Sequence, residues 1–214
     1  MRFGIKSPDF HPYTLNSAVD VLLKKEFDIY RLSQEPHPLM QEYGIDGYPY
    51  FHPKLEIWRE NFKGMEYFDP ETNFIICGAL DDIWLVRNQG LAIVDYKSTS
   101  SGRDHSIESG YWTSFKRQDE IYQWLLKKQV LSEPVSPFAY FVLANGRKDL
   151  ERFDKTLNFT LKLFSFRGDD SWVQDAIWQI HACLHKTQLP DSATSCEYCA
   201  YRRKAYEKEW PQKV

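Results

Sequence analysis

The chain has 214 residues, a formal net charge of −3 and a hydrophobic fraction of 43%. A chain of this length can bury a substantial core in one domain, and this composition excludes an intrinsically disordered protein. The acidic balance also excludes a globally basic nucleic-acid binder, so contacts with nucleic acid would have to come from local basic segments: Lys116-Arg117, Arg147-Lys148 and Arg202-Arg203-Lys204.

The N-terminal sequence and the number of cysteines indicate the cellular compartment of the protein. Residues 1–6 lack the apolar run of a signal peptide, and no segment approaches the roughly 20 apolar residues that cross a bilayer. Four cysteines in a chain of this length do not make a disulfide framework. We therefore expect a cytoplasmic protein without a membrane partner.

Apolar spacing predicts the elements of the first half of the chain. A three-and-four repeat predicts a helix at 14–32. Prolines and glycines interrupt residues 33–72, which we interpret as an insertion or lid. A long strand at 74–86 and a returning strand at 91–97 follow, joined by a turn at 88–90.

The second half alternates between loops, helices and strands. The predicted elements are an exposed polar loop at 98–114, a helix at 115–128, a strand at 137–144 with a turn at 145–146, a strand at 157–166, a helix at 169–186, and a C-terminal tail at 190–214 that ends in a basic helix. This order predicts an α/β (α+β) fold with a mixed sheet in a single domain over 1–214.

Two acids and a lysine converge on the predicted hairpin. A three-residue turn places Asp81 opposite Lys97 when the register is extrapolated. Because side chains alternate along a strand, Asp81, Asp95 and Lys97 would share one face of the sheet. Asp82 and Tyr96 would then point to the other face.

Such a group of charges has two interpretations. An isolated Asp-x-Lys is ordinarily a surface pair, here Asp95 with Lys97. The apolar flanks, however, predict a strand pair that is buried on both faces. Burying a charge there destabilises the fold, so charged side chains at such positions indicate a functional site. Hard oxygen ligands suit Mg²⁺ or Mn²⁺, and a cation held by two acids beside a lysine favours phosphodiester hydrolysis.

Three segments carry a resemblance to a known family. They are Gly78-Ala79-Leu80-Asp81-Asp82-Ile83, Ile93-Val94-Asp95-Tyr96-Lys97, and Gln118 with Tyr122 one turn apart on a predicted helix. In this order they resemble the PD-(D/E)xK nuclease superfamily, specifically its RecB-like exonuclease branch. The resemblance implies a restriction-endonuclease-like core, in which a mixed central β-sheet is flanked by helices.

The resemblance also implies roles for individual residues. Asp81 and Asp95 would hold Mg²⁺ or Mn²⁺, and the backbone carbonyl of Tyr96 would also touch the metal. Lys97 would be the catalytic lysine, and Gln118 would complete the catalytic set.

The helix with Gln118 also supplies the candidate DNA contacts. The resemblance implies that Gln118 contacts the active site or the DNA backbone with Tyr122 beside it, and the neighbouring Lys116 and Arg117 form a local basic patch. A purely structural alternative has Gln118 capping a strand carbonyl and Tyr122 in the core. Beyond DNA, the implied partners are a helicase, a recombinase or a phage protein.

The chain departs from the family pattern upstream of the hairpin and in its tail. RecB-like nucleases often place a His or Glu ligand on an upstream helix, for which His52 and Glu56 are the candidates here. Some members bind an iron–sulfur cluster with C-terminal cysteines, but Ala205 stands where the last of these would fall. We therefore expect no iron–sulfur cluster.

The cysteines leave a further alternative open. Cys196 and Cys199 have the spacing of half a zinc site. Cys77 and Cys183 are interpreted as small core residues.

Together these features predict a Mg²⁺- or Mn²⁺-dependent deoxyribonuclease in DNA repair, recombination or phage and mobile-element metabolism; the resemblance implies an exonuclease, while the residues leave exonuclease and endonuclease action open. One alternative is a catalytically silent nuclease fold that binds DNA or a protein partner. Another is an unrelated phosphoesterase for a small substrate, which would fit the carboxylates but not the helix with Gln118.

Overall fold

The computed structural model describes Ile5, Pro8, residues 14–102, Ile107 and residues 110–210. The chain forms two compact units, of which the larger is Thr14–Trp178 and the smaller combines Met1–Tyr13 with Gln179–Val214. The single domain expected over 1–214 stays a prediction. Part of the loop predicted at 98–114 lies outside the described residues.

The larger unit holds most of the secondary structure. Its elements in chain order are α1 (Thr14–Ser33), α2 (Pro38–Glu42), β1 (Gly47–Pro49), α3 (Leu55–Trp58), β2 (Met65–Asp69), β3 (Phe74–Gly78), β4 (Asp82–Val86), β5 (Gly90–Thr99), a 3₁₀ turn (Gly110–Trp112), α4 (Thr113–Lys127), β6 (Val135–Gly146) and β7 (Phe159–Arg167). Helix α5 (Trp172–Leu184) continues into the smaller unit, which also contains α6 (Glu197–Glu209).

Five strands form the central sheet in the order β1-β4-β5-β6-β7. β5 and β6 are parallel, whereas the other neighbouring pairs in this sheet are antiparallel. β2 and β3 form a separate two-stranded antiparallel sheet. The prediction of a mixed central sheet flanked by helices is confirmed.

Alternation along β5 divides the core into two clusters. Leu91 and Ile93 pack with residues of α4, α5 and β2 on one face of the sheet. Ala92, Val94 and Tyr96 pack with residues of α1 and α2 on the other face. Both faces of β5 are therefore covered by helices, as the apolar run of this strand predicts.

The long strand predicted at 74–86 is wrong as a single element. Phe74–Gly78 is β3 of the small sheet and Asp82–Val86 is β4 of the central sheet, so the chain changes sheets between them. β3 has one face toward solvent, where Ile75 is 66% exposed and Cys77 is also exposed. The expected burial of the hairpin on both faces holds for β4 and β5 only, and the interpretation of Cys77 as a core residue is wrong.

The register predicted for the hairpin is also wrong. Val86 pairs with Gly90 and Ile83 pairs with Ile93, which is two residues away from the predicted alignment. β5 begins at a glycine for a physical reason: Gly90 has φ +97°, and a Cβ there would lie 2.1 Å from the Pro134 carbonyl oxygen in the loop before β6. Asp95 and Lys97 share one side in either register because both lie on β5, and a shift of two residues also preserves which residues of β4 share that side.

The other predicted helices and strands are confirmed, but the loop predicted as exposed at 98–114 contains the last two residues of β5 and Trp112, which is 2% exposed. The helices predicted at 14–32, 115–128 and 169–186 are confirmed as α1, α4 and α5. The turn predicted at 145–146 is wrong, because both residues pair with β7 inside the long strand β6. Among the described residues, no helix combines the length and apolar character of a transmembrane span.

Candidate active site

Asp95 and Lys97 lie on β5, on the sheet face that α4 covers. Asp95 is 3% exposed and forms an ion pair with the Lys97 ammonium. That ammonium also lies 4.7 Å from the centre of the Phe115 ring of α4. Burial raises the pKa of Asp95 to about 7, an effect that Lys97 opposes and the Asp81 carboxylate strengthens. Because a nearby cation favours the ionised form of a carboxyl, Asp95 is suited to bind a further positive charge.

Asp81 lies immediately before β4, and each of its two carboxylate oxygens has a partner. The Tyr96 backbone N–H donates to Oδ2 at 2.9 Å, and the Lys24 ammonium lies 2.9 Å from Oδ1. Since Tyr96 directly follows Asp95 in β5, the first of these bonds fixes Asp81 beside that strand. The structure therefore brings together the two acids and the lysine that the sequence predicts.

Asp20 and Lys24 of α1 belong to the same group of charges, and the sequence prediction missed both. Lys24 Nζ lies 2.9 Å from Asp20 Oδ2 while it contacts Asp81. Burial raises the pKa of Asp20, and Asp81 adds to the shift. The available signal is their position beside the buried Leu23 and Phe27, a helix stripe on which charged side chains are unusual.

Asp82 anchors the hairpin on the opposite face of the sheet. It is completely buried and forms ion pairs with Arg31 and with Arg59, whose Nη2 lies 3.2 Å from Oδ1. The Tyr96 hydroxyl donates to Asp82 Oδ2 at 2.7 Å. Arg59 Nε also donates to the Asp81 carbonyl at 2.9 Å, so this buried network fixes the backbone that carries the first acid of the site.

Gln118 and Tyr122 are neighbours on one face of α4, as predicted. Gln118 Nε2 donates to the Tyr122 hydroxyl at 2.7 Å. The Tyr122 ring packs against the backbone of Gly78, where an added Cβ would lie 2.7 Å from Tyr122 Cε1. Burial raises the pKa of Tyr122 to about 12, although the Gln118 hydrogen bond opposes the shift. The glycine before the site is therefore needed for the close approach of this ring.

A Gly78→Ala substitution should destabilise the protein, because its methyl group would overlap the Tyr122 ring. Overpacking of this kind costs about 1–3 kcal/mol, which urea denaturation would measure as a lower free energy of unfolding. Gly110→Ala is the matched control, since a Cβ at Gly110 meets no atom within 4 Å. Equal stability of the two variants would contradict the proposed packing constraint.

Asp119 of α4 is a further acid beside the site that the sequence prediction missed. It is 0% exposed, and neither carboxylate oxygen has a hydrogen-bond partner among the described residues. It follows Phe115 by one helical turn and so shares its helix face. Burial raises the pKa of Asp119 well above its usual value, Asp95 adds to the shift and Lys97 opposes it. Burial therefore favours the protonated form of this carboxyl.

An Asp119→Asn variant should be more stable than the wild type near neutral pH. The raised pKa means that the folded chain keeps a proton that the unfolded chain releases above about pH 4. Wild-type stability should therefore fall as pH rises from there toward the folded pKa, with a slope of about 1.4 kcal/mol per pH unit for one proton. Asparagine has nearly the same shape and does not titrate, so this loss should be absent in the variant.

Urea denaturation at several pH values between about 5 and 7 measures this difference. Asp46→Asn serves as the control, because the Asp46 side chain is 68% exposed. Parallel stability curves for the wild type and Asp119→Asn across this range would contradict a protonated, buried Asp119.

The basic candidates and Glu120 occupy other parts of α4. Lys116 Nζ lies 5.7 Å from the centre of the Phe166 ring, and Arg117 is exposed. Glu120 accepts a hydrogen bond from Trp172 Nε1 at 2.8 Å, so it anchors the segment around the start of α5. The exposed Arg117 is thus available for a ligand, whereas Glu120 has a structural partner.

The two upstream candidates have local partners. The His52 ring stacks on Trp58 with ring centres 4.2 Å apart. Glu56 is exposed and lies 3.3 Å from Arg59. The upstream acid that the structure places beside Asp81 is instead Asp20 of α1.

Asp81 and Asp95 fit a hard divalent cation by the chemistry of their oxygen donors. Each carboxylate contacts an ammonium, and the charge of Asp81 contributes to the raised pKa of Asp95, as expected of acids that face a common site. Within the part of the chain that the structure describes, no three His, Cys, Asp or Glu side chains form a metal-binding group. Water and substrate oxygens would have to complete the coordination, which is the usual arrangement for Mg²⁺.

A comparison with models of protein families shows which family the chain resembles over most of its length. A model described as the PD-(D/E)XK nuclease superfamily matches residues 22–204. The chain belongs to the PD-(D/E)XK nuclease superfamily. The matched segment includes Asp81, Asp95, Lys97 and Gln118. No curated protein matches the chain.

Membership in the PD-(D/E)XK superfamily gives the fold and the general chemistry. The mixed central sheet with helices on both faces is the restriction-endonuclease-like fold of this superfamily. A nuclease of this superfamily is a hydrolase that acts on phosphodiester bonds and binds nucleic acid.

Proposed function

We propose that this PD-(D/E)XK protein is a Mg²⁺- or Mn²⁺-dependent deoxyribonuclease of the RecB-like exonuclease type. The observation that carries the proposal is the placement of Asp81, Asp95 and Lys97 beside one another at the β4–β5 hairpin. The proposed setting is DNA repair, recombination or phage and mobile-element metabolism, with a helicase, recombinase or phage protein as a further partner.

The acids would form the cation site. Asp81 and Asp95 would bind the cation through carboxylate oxygens, and the Tyr96 carbonyl would add a backbone oxygen. When bound, such a cation supplies Lewis-acid polarisation of a phosphoryl oxygen. The hydrogen bond from Tyr96 N–H to Asp81 holds the two acids in position for this role.

Lys97 would act on the phosphate itself. Its ammonium lies beside Asp95 and against the Phe115 ring, which limits its freedom to move. From there it would orient the attacking water or stabilise the negative charge that grows on the phosphoryl oxygens as the 3′ oxygen leaves in line. The raised pKa of Asp119 favours its neutral form, which adds no negative charge next to these groups.

α4 would hold the DNA strand. Gln118 and Tyr122 form a hydrogen-bonded pair on the face of α4 that packs against Gly78 at the end of β3, and we propose that they contact the sugar–phosphate backbone. Lys116 and Arg117 would add charge attraction to phosphates, which does not depend on base sequence.

DNA cleavage by the full chain tests the proposal. Labelled single-stranded and double-stranded DNA would be incubated with wild type and Lys97→Ala in Mg²⁺, in Mn²⁺ and with a chelator. We expect cleavage by the wild type only, and only with a divalent cation. Binding of DNA by the wild type without cleavage would support the catalytically silent alternative and overturn the proposal.

Cleavage of linear and of covalently closed circular duplex DNA then distinguishes an exonuclease from an endonuclease. An exonuclease should degrade the linear DNA and leave the closed circle intact. Cleavage of the closed circle would overturn the exonuclease assignment while leaving the nuclease assignment in place.

A further inference from the structure

Two cysteines lie together at the start of α6 in the smaller unit. Cys196 is the N-cap residue of the helix, and its Sγ accepts a hydrogen bond from the Cys199 backbone N–H at 3.4 Å. The Cys199 thiol in turn interacts with the Cys196 side chain. Both side chains are partly exposed. The two sulfur atoms are thus neighbours at an accessible helix end.

The surroundings of the two thiols make them chemically unequal. Hydrogen bonds from the Cys199 backbone and side chain lower the pKa of Cys196, and Arg203 contributes in the same direction. The pKa of Cys199 is raised, mainly by its hydrogen bond with Cys196. The N-terminus of a helix also favours a thiolate at the first position. One sulfur is therefore the better nucleophile, and the other retains its proton.

A cleft in the same unit reaches Cys199, whose backbone N–H donates to Cys196 Sγ. It has a volume of about 580 Å³ and is lined by Cys199, Arg202, Tyr206 and Trp210, among others. The aromatic side chains offer apolar surface, and the Arg202 guanidinium can bind a carboxylate. The carboxylates of Asp191 and Glu209 also line the cleft, so it suits a small peptide that carries both carboxylate and ammonium groups more than an apolar ligand.

A metal is the competing explanation for two cysteines at this spacing. A structural zinc ion requires four ligands, so this pair would need two more. Over residues 14–102 and 110–210, no cluster of three His, Cys, Asp or Glu side chains has the arrangement of a metal site. The described structure thus favours a dithiol.

We propose that Cys196 and Cys199 form a thiol–disulfide exchange site that reacts with a low-molecular-weight peptide disulfide, of which glutathione disulfide is the test compound. The Cys196 thiolate attacks one sulfur of glutathione disulfide, forms a mixed disulfide and releases one glutathione thiolate. Cys199 then loses its proton, attacks Cys196 Sγ and releases the second glutathione. Two protein thiols are oxidised to one disulfide, and one glutathione disulfide is reduced to two glutathione thiols.

Intact-protein mass spectrometry of the full chain tests this exchange. The starting protein carries Cys77→Ser and Cys183→Ser, so that the remaining thiols are Cys196 and Cys199. With excess glutathione disulfide, we expect the loss of two hydrogen masses without a stable adduct, and full reversal by reduced glutathione. Adding Cys199→Ser should stop the reaction at a glutathione adduct on Cys196. With the native cysteines, iodoacetamide should label Cys196 several-fold faster than Cys77.

Three outcomes would overturn the proposal. The first is that both thiols stay reduced in excess glutathione disulfide. The second is that each thiol keeps its own stable glutathione adduct, which would show that the sulfurs do not meet. The third is that the isolated protein carries one equivalent of zinc that alkylation of these thiols releases. None of these readouts depends on nuclease activity, so they are independent of the proposed function.

Discussion

Asp82→Asn should lower the free energy of unfolding by about 2–4 kcal/mol, because it removes the completely buried one of the two carboxylates that Arg31 and Arg59 share. Arg31 and Arg59 both pair with this completely buried carboxylate. Burial alone would lower the pKa of Arg59, but the carboxylates of Asp82 and Asp28 together outweigh that effect and raise it. In the variant, Asp28, which pairs with both arginines and is 36% exposed, would have to balance most of this charge, and the bond from the Tyr96 hydroxyl would also be weaker.

Urea denaturation of the wild type and the variant measures this loss. The Asp46→Asn control breaks an ion pair with Arg87 in which both side chains are largely exposed, so its effect should stay below about 1 kcal/mol. An Asp82→Asn variant as stable as this control would contradict the anchoring role of the buried network.

Lys97→Met should reduce the single-turnover rate of DNA cleavage by about 10²–10³-fold, since it removes a cation aimed at charge that develops in the transition state. Methionine keeps most of the side-chain length and its contact with Phe115, so the fold should be preserved. Ground-state affinity for DNA should change little, because one phosphate contact among several is lost.

Fluorescence anisotropy with labelled DNA, in Ca²⁺ to prevent turnover, measures that affinity alongside the cleavage rate. Lys63→Met is the control, because the Lys63 side chain is 63% exposed and pairs only with Glu60 among the contacts described. A loss of affinity as large as the loss of rate would show that Lys97 binds the ground state and would contradict its catalytic role.

The sequence was sufficient to predict the shared face of Asp95 and Lys97, because alternation in a strand depends only on spacing. This inference survives the wrong register, since the pairing of Ile83 with Ile93 differs from the predicted one by two residues. The family motifs likewise place Gln118 and Tyr122 one turn apart, and the structure shows their hydrogen bond. Local periodicity thus defines the hairpin and α4.

What the sequence did not predict depends on contacts between distant segments. The break between Gly78 and Asp82 lies inside an apolar run that looks continuous, because β3 and β4 are both rich in apolar residues. Lys24 reaches Asp81 only because α1 packs on the central sheet. Asp119 resembles any polar residue of an amphipathic helix until its complete burial beside Asp95 is known.

The most direct test of the proposed site is the rate of DNA cleavage in Mn²⁺ by the wild type, Asp81→Asn, Asp95→Asn and the control Asp46→Asn. Amide groups keep the shape of the side chains but bind a divalent cation more weakly than carboxylates. We predict that the wild type and the control cleave at the same rate, while both site variants lose activity by at least about 10²-fold. Cleavage by Asp95→Asn at the wild-type rate, or no cleavage by the wild type, would contradict a nuclease site at this hairpin.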